Sequence, residues 1–168
     1  PHTESQAATT IIQVSLKDSP FTKKLKTIIQ EILPPSTIQY ISLHPEDLPF
    51  TQSKTHNHYP PIILKPNHFT KNPHNKPSLV IGMRYHSCVW AIINQVPFIA
   101  INIDPKLEAI ANQFNQPLLH PKNTSTLKLK TLLTNIHNNY NDFQKDIKTT
   151  LTQIQSKIQG HKDYFLNA

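Results

Sequence analysis

The sequence predicts an α/β protein in which helices cover both faces of a parallel β-sheet. Short runs rich in β-branched residues alternate along the chain with segments whose apolar residues recur every three or four positions. Strands that alternate with amphipathic helices form parallel sheets, because each helix returns the chain to the edge at which the next strand starts. The 168 residues are expected to form one domain, residues 1–168.

The first three elements are predicted as strand, helix and strand. The run TIIQVSL, residues 10–16, is the first strand, and Ser19 with Pro20 is suited to begin a helix. Between residues 21 and 33 four apolar residues share one helical face, namely Leu25, Ile28, Ile29 and Ile32. Two prolines then end the helix, and TIQYISL, residues 37–43, is the second strand.

The middle of the chain is predicted to carry a loop-rich connection and then the most apolar strand. Residues 54–77 hold many prolines and four histidines around one short strand in IILK. The buried strand SLVIG, residues 78–82, precedes a helix from about Arg84 to Gln95. The apolar residues predicted to share one face of this helix are Val89, Ile92, Ile93 and Val96.

The last part of the chain is predicted to add two strands and a helical tail. PFIAIN is predicted as a strand and QPLL as a short edge strand. Between them a helix begins at Pro105. Its apolar residues share one face, namely Leu107, Ile110, Ala111 and Phe114. The tail, residues 125–160, is one long helix or two with a break near HNNYND. Its near-heptad spacing leaves two alternatives open, packing on its own or a neighbouring domain and self-association as a coiled coil. Together the elements predict a parallel sheet that is covered by helices on both faces.

Composition and charge narrow the class of protein. A net charge of +7 and an isoelectric point near 9.5 suit binding to phosphates, nucleic acid or an anionic membrane surface. The lysines are spread along the chain instead of alternating with aromatic residues, so nucleic acid is not the expected partner. One cysteine, no apolar run near 20 residues and no signal pattern favour a cytoplasmic location. Because the chain starts at Pro1 without methionine, we expect it to be part of a longer protein.

The segment LVIGMRYHSCVW, residues 79–90, holds the only arginine of the chain and one of its two glycines. Gly82 ends the predicted strand, where a glycine allows a tight turn or the close approach of a ligand. Arg84 opens the next helix, whose amino-terminal amides favour anions, and its planar guanidinium can grip a phosphate or carboxylate through two hydrogen bonds. His86 follows closely and can move a proton near neutral pH. The sequence therefore predicts an anion site with a proton donor.

Other polar residues fit either a functional or a simpler structural role. Lys106 is either a second phosphate cation or the partner of Asp104 or Glu108 in a salt bridge. The segment HPED could orient a substrate hydroxyl or a base through His44, Glu46 and Asp47, although a capped turn is the simpler interpretation. Cys88 and Trp90 are interpreted as core residues. The irregular spacing of four histidines argues against a zinc site, and they are His56, His58, His68 and His74.

The segment from LVIGMRYH to ANQF resembles the signature region of the polysaccharide pyruvyl transferase family. That family carries a Gly-Met-Arg-x-His segment, a helix, a Pro-Phe strand and an Asp-Pro-Lys before the next helix. The matching residues here are Gly82, Met83, Arg84, His86, Pro97, Phe98, Asp104, Pro105 and Lys106. Upstream, VSLKDS and ISLHPED are similar to two earlier strands of the family, so the resemblance covers residues 10–115.

This resemblance implies the C-terminal domain of a GT-B type transferase, in which two Rossmann-like domains face each other across a cleft. The implied reaction moves the carboxyvinyl unit of phosphoenolpyruvate to the hydroxyls of a saccharide or lipid-linked saccharide, forming a pyruvate ketal and releasing phosphate without a metal or cofactor. Arg84 would hold the phosphate or carboxylate, and His86 would be the general acid. The complete set of expected substrate-binding residues is Lys17, Glu46, Asp47, Gly82, Arg84, Asp104 and Lys106.

Departures from the family pattern keep two alternatives open. The family often has arginine where this chain has Lys17, aspartate at Ser78, glycine at Gln95 and tyrosine at Ile103. A nucleotide-sugar glycosyltransferase of GT-B type is the first alternative, and a non-catalytic anion-binding or assembly module is the second. For the enzyme, the resemblance implies a missing N-terminal domain and a place at the inner face of the plasma membrane, where basic charge helps.

Overall fold

The fold is built around a six-stranded sheet in which every strand pair is parallel. The structure is a computed structural model that describes residues 11–42, 62–63 and 77–166, with side chains to residue 159 apart from 62–63. The strands are β1 (Ile12–Ser15), β2 (Ile38–Ser42), β3 (Ile62–Ile63), β4 (Leu79–Gly82), β5 (Phe98–Ile101) and β6 (Leu118–Leu119). The predicted parallel α/β sheet is confirmed.

The order of the strands places a crevice beside β1. The sheet runs β3-β2-β1-β4-β5-β6, so the chain builds outward from β1 to β3 and then resumes on the other side of β1. Ile12 accordingly pairs with Ile38 of β2 on one side and with Leu79 of β4 on the other. The loops that follow β1 and β4 leave in different directions, which opens a crevice at their carboxyl ends.

Five described helices connect and cover the strands. They are α1 (Thr22–Ile32), α2 (Tyr85–Ile93), α3 (Pro105–Gln113), α4 (Thr126–Asn138) and α5 (Tyr140–Leu166). The last two meet at Asn139, within the segment where the sequence indicated a break. The predicted cap of α1 is wrong, because the helix begins three residues after Ser19, and the Ser19 carbonyl, not its side chain, accepts from the Thr22 amide at 3.0 Å.

Each face of the sheet has its own apolar cluster. On one face α1 and α4 bury Leu25, Ile29 and Leu129 against the sheet. On the other face α2 and α3 cover the sheet. Ile147 of α5 also belongs to this second cluster, which contains Val80, Ala91, Phe98, Leu107 and Ile110. The predicted face of α2 needs correction, because Ile93 is 52% exposed. This nine-residue helix packs on both β4 and α3, so Cys88 and Ala91, which the spacing left out, are buried together with Ile92, which it included.

Helix α5 passes the amino-terminal edge of the sheet. Phe143 packs against the first cluster, whereas Ile147, Leu151 and Ile154 belong to or pack against the second. The Gln144 amide donates to the carbonyl of Gln95 at 2.9 Å, in the turn that enters β5. The start of α5 therefore lies at the edge opposite the crevice. Within the described part of the chain, no helix is both long and apolar enough to cross a bilayer.

Two helix-to-strand turns use left-handed residues that are not glycine. Gln95 after α2 has a φ of 55°, and Asn115 after α3 has a φ of 52°. In both turns the next amide reaches back to the helix, from Val96 to Ala91 O and from Gln116 to Ala111 O. This is the Schellman arrangement, in which glycine is preferred because a side chain strains the left-handed conformation.

We expect Gln95→Gly to stabilise the folded chain by about 0.5–1 kcal/mol, since the relief of strain exceeds the entropy that glycine loses. The free energy of unfolding is measured in urea from the fluorescence of Trp90, the single tryptophan, which is buried. Gln95→Ala is the control, because alanine retains the strain. Equal stability of the two variants would contradict this account of the turn.

Candidate functional site

The carboxyl ends of β1, β4 and β5 open onto a cleft of about 630 Å³. Of the six described residues that the sequence assigns to substrate binding or catalysis, five line this cleft, namely Lys17, Arg84, His86, Asp104 and Lys106. The remaining wall comes from Met83, Tyr85 and one side of α3, formed by Leu107, Ala109, Ile110 and Gln113.

 The sixth described member of the assigned set, Gly82, is buried beneath α2. The cleft therefore brings together residues from three loops that are far apart in the sequence.

Several sequence candidates lie outside the described residues. They are Glu46 and Asp47, which the sequence predicts to bind substrate, together with His44 and the four irregularly spaced histidines, His56, His58, His68 and His74. Their roles remain predictions. Sequence reasoning missed Tyr85, which lines the cleft and is 42% exposed. The signal for it was its position between Arg84 and His86 in the signature segment.

The amino end of α2 presents the arginine and the histidine to the cleft. Arg84 is the N-cap residue, with extended backbone at φ −115° and ψ 135°, and it is half-buried. Of the described side chains, none caps this helix end, and the Ser87 amide donates to the Arg84 carbonyl at 3.1 Å. The amides of Tyr85 and His86 are therefore the ones available to an anion. The exposed ring of His86 meets the edge of Tyr85, with 6.0 Å between the ring centroids and an interplanar angle of 80°.

Gly82 has a packing role that the sequence did not predict beside a tight turn or the approach of a ligand. Its φ is not positive, so the left-handed region does not explain the glycine. A Cβ atom at this position would overlap Ser87 Oγ and lie 3.1 Å from Cys88 Sγ. The missing side chain therefore allows the first turn of α2 to lie directly on the end of β4.

The amino end of α3 differs, because it is already capped. Asp104 Oδ1 accepts from the Lys106 amide at 2.9 Å, and Pro105 occupies the first turn. The Glu108 carboxylate accepts from Asn102 Nδ2 at 2.9 Å. The exposed Lys106 side chain lines the cleft, which favours the cation role over the salt bridge. An anion is thus expected to meet amides at α2 and an ammonium at α3.

The charge of the cleft lining is positive. Three cationic side chains, Lys17, Arg84 and Lys106, face one carboxylate, Asp104, which is engaged at its helix end. The positive end of the α2 dipole adds to this potential. The arrangement can hold a small molecule with more than one negative charge beside an imidazole that can transfer a proton.

Cys88 is a structural residue of α2, as the sequence indicated. It is fully buried, and burial raises the pKa of its thiol to about 12, although a hydrogen bond from Ser87 opposes the shift. Because only the thiolate is nucleophilic, we expect a disulfide reagent to leave Cys88 unmodified in the folded chain at pH 7 and equally at pH 9. Release of the coloured thiol product measures this. Rapid modification before unfolding would contradict the buried environment.

Comparison with known proteins assigns no family. No protein-family model matches the chain, and a search of curated proteins returns no significant match.

Proposed function

We propose that this chain is the donor-binding domain of a pyruvyl transferase that uses phosphoenolpyruvate to modify a cell-wall or surface polysaccharide. The observation that supports the proposal is the meeting of Lys17, Arg84, His86 and Lys106 around one cleft. The resemblance of residues 10–115 to the polysaccharide pyruvyl transferases points to the same reaction.

The donor matches the cleft in charge and in geometry. Phosphoenolpyruvate carries its phosphate ester and its carboxylate on the same carbon atom, so it needs several cationic groups within a small volume. The guanidinium of Arg84 and the first amides of α2 suit the phosphate, because a planar fork and convergent N–H groups match its oxygens. Lys17 and Lys106 then balance the remaining charge from the two sides of the cleft.

The proposed reaction begins with proton transfer from His86. The imidazolium donates its proton to the methylene carbon, the double-bond electrons form the new C–H bond, and the central carbon becomes an oxocarbenium ion. The first acceptor hydroxyl bonds to that carbon and returns a proton to His86. The bond to the bridging phosphate oxygen then breaks, the second hydroxyl takes its place, and its proton leaves with phosphate. At the central carbon two C–O bonds form and one breaks, while the methylene carbon gains a C–H bond in place of the π bond, so the electrons balance without an oxidant.

The acceptor belongs to the other half of the proposed enzyme. In a GT-B arrangement the N-terminal domain faces this cleft and binds the saccharide or lipid-linked saccharide. The net charge of +7 suits a basic protein that works on such an acceptor at the inner face of the plasma membrane.

Calorimetric titration separates the proposal from its alternatives. We expect phosphoenolpyruvate to bind the chain and a nucleotide sugar such as UDP-glucose to bind at least about tenfold more weakly, because its diphosphate lacks the neighbouring carboxylate. The exposed, charge-preserving change Lys130→Arg on α4 should leave the affinity for each ligand unchanged. Tighter binding of the nucleotide sugar would favour the glycosyltransferase, and binding of neither donor would favour the non-catalytic module.

A further inference from the structure

A buried hydroxyl group lies beneath each of two cations of the cleft. Ser87 Oγ donates to the carbonyl of Arg84 at 2.6 Å, and Ser87 has no exposed surface. Thr22 Oγ1 donates to the carbonyl of Lys17, and Thr22 is 2% exposed. Each hydroxyl comes from the first turn of the helix that follows the cation. A hydrogen bond from a buried helix hydroxyl to the carbonyl of a cleft cation therefore occurs after both β1 and β4.

The two loops are also joined to each other. The Met83 amide donates to the carbonyl of Ser15, the last residue of β1, at 2.9 Å. Thr22 Oγ1 lies 3.9 Å from the sulfur of Met83, the residue before Arg84. Both contacts cross from one loop to the other, so the positions of Lys17 and Arg84 depend on each other.

Gly82 belongs to the same arrangement. A side chain at this position would overlap the hydroxyl of Ser87, which could not then keep its bond to Arg84 O. The glycine is therefore required by the serine that fixes the arginine, and the spacing of Gly82, Arg84 and Ser87 forms one unit.

We propose that Ser87 and Thr22 are positioning residues that orient Arg84 and Lys17 toward a single multiply charged anion. The proposal rests on the proposed function only for the identity of that anion, a phosphate monoester with a neighbouring carboxylate. Without the Ser87 hydroxyl the Arg84 carbonyl keeps the Ser87 amide at 3.1 Å but loses the shorter of these two hydrogen bonds, so the guanidinium samples more directions. An anion then binds more weakly, because Arg84 has to be ordered at the moment of binding.

The test uses the single arginine of the chain as its own reporter. Because Arg84 is the only arginine, its side-chain Nε–H gives one assignable signal in a nitrogen-15 spectrum. The variants Ser87→Ala and Thr22→Val each remove a hydroxyl, whereas Thr22→Ser keeps a hydroxyl at position 22. Matched controls remove hydroxyls that donate to carbonyls elsewhere, namely Ser78→Ala, which loses a bond to Ile11 O, and Thr124→Val, which loses a bond to His120 O.

We expect Ser87→Ala to lower the heteronuclear NOE of the Arg84 Nε–H and to weaken binding of inorganic phosphate and phosphoenolpyruvate by about fivefold or more. Thr22→Val should likewise lower the heteronuclear NOE of the Lys17 amide and weaken binding of both anions. Thr22→Ser and both controls should bind both anions with affinities within about twofold of the unchanged chain. Unfolding curves confirm that all variants are folded at the temperature of the titration.

Equal effects of the variants and their controls on the NOE and on affinity would overturn the proposal, since Ser87 and Thr22 would then contribute only stability. If the unchanged chain bound neither phosphate nor phosphoenolpyruvate, the proposed function would be wrong. The NOE comparison would still decide the positioning role, because it is made without any ligand.

Discussion

Replacing Arg84 by lysine is expected to weaken phosphoenolpyruvate binding by roughly 10- to 100-fold while the fold persists. The substitution keeps the positive charge but removes the planar fork, so one of two parallel charge-assisted hydrogen bonds to the anion is lost. A bond of this kind contributes about 1.5–3 kcal/mol. Calorimetry measures the affinity, and the unfolding midpoint verifies that the half-buried position tolerates lysine.

The control for Arg84→Lys is Lys130→Arg, an exposed exchange of the same two residue types on α4, away from the cleft lining. This control should leave the affinity unchanged. Binding by Arg84→Lys within about twofold of the unchanged chain would show that a point charge is sufficient, and the assigned role of the guanidinium would be withdrawn.

Replacing His86 by alanine is expected to separate catalysis from binding. The exposed imidazole contributes little to packing, so the fold should persist and phosphoenolpyruvate should bind within about threefold of the unchanged affinity. Release of phosphate by the full-length protein with a saccharide acceptor should fall by about 10²- to 10⁴-fold, because the carbon loses its proton donor.

His137→Ala, an exposed change on α4, is the matched control for the loss of an imidazole. It should retain full turnover. Undiminished turnover in His86→Ala would remove His86 from the proposed reaction, whereas equal losses in both variants would indicate a general effect on the protein.

Periodicity alone was sufficient to predict the elements with one buried face. In α1 and α3 the apolar residues recur at helical spacing and are buried as expected, including Leu25, Ile29, Leu107 and Ile110. It failed for α2, where Ile93 is exposed. A short helix that packs on a strand and on another helix has an apolar surface too wide for its spacing to identify the core side.

The site could be predicted as far as chain connectivity determines it. Residues that follow parallel strands meet at one edge, so the convergence of Lys17, Arg84 and Asp104 follows from the positions of the strands. The roles of Gly82 and Ser87 could not be predicted, because they depend on an overlap between a strand end and a helix turn. The spacing of residues in the sequence does not give the distance between the end of β4 and the first turn of α2.

The most direct test of the account is a crystal structure of the chain with phosphoenolpyruvate. We expect its phosphate between the Arg84 guanidinium and the first amides of α2, at hydrogen-bond distances of about 3 Å, with the methylene carbon facing His86. Density for the ligand elsewhere on the molecule, with Arg84 and His86 turned away from each other, would contradict the account.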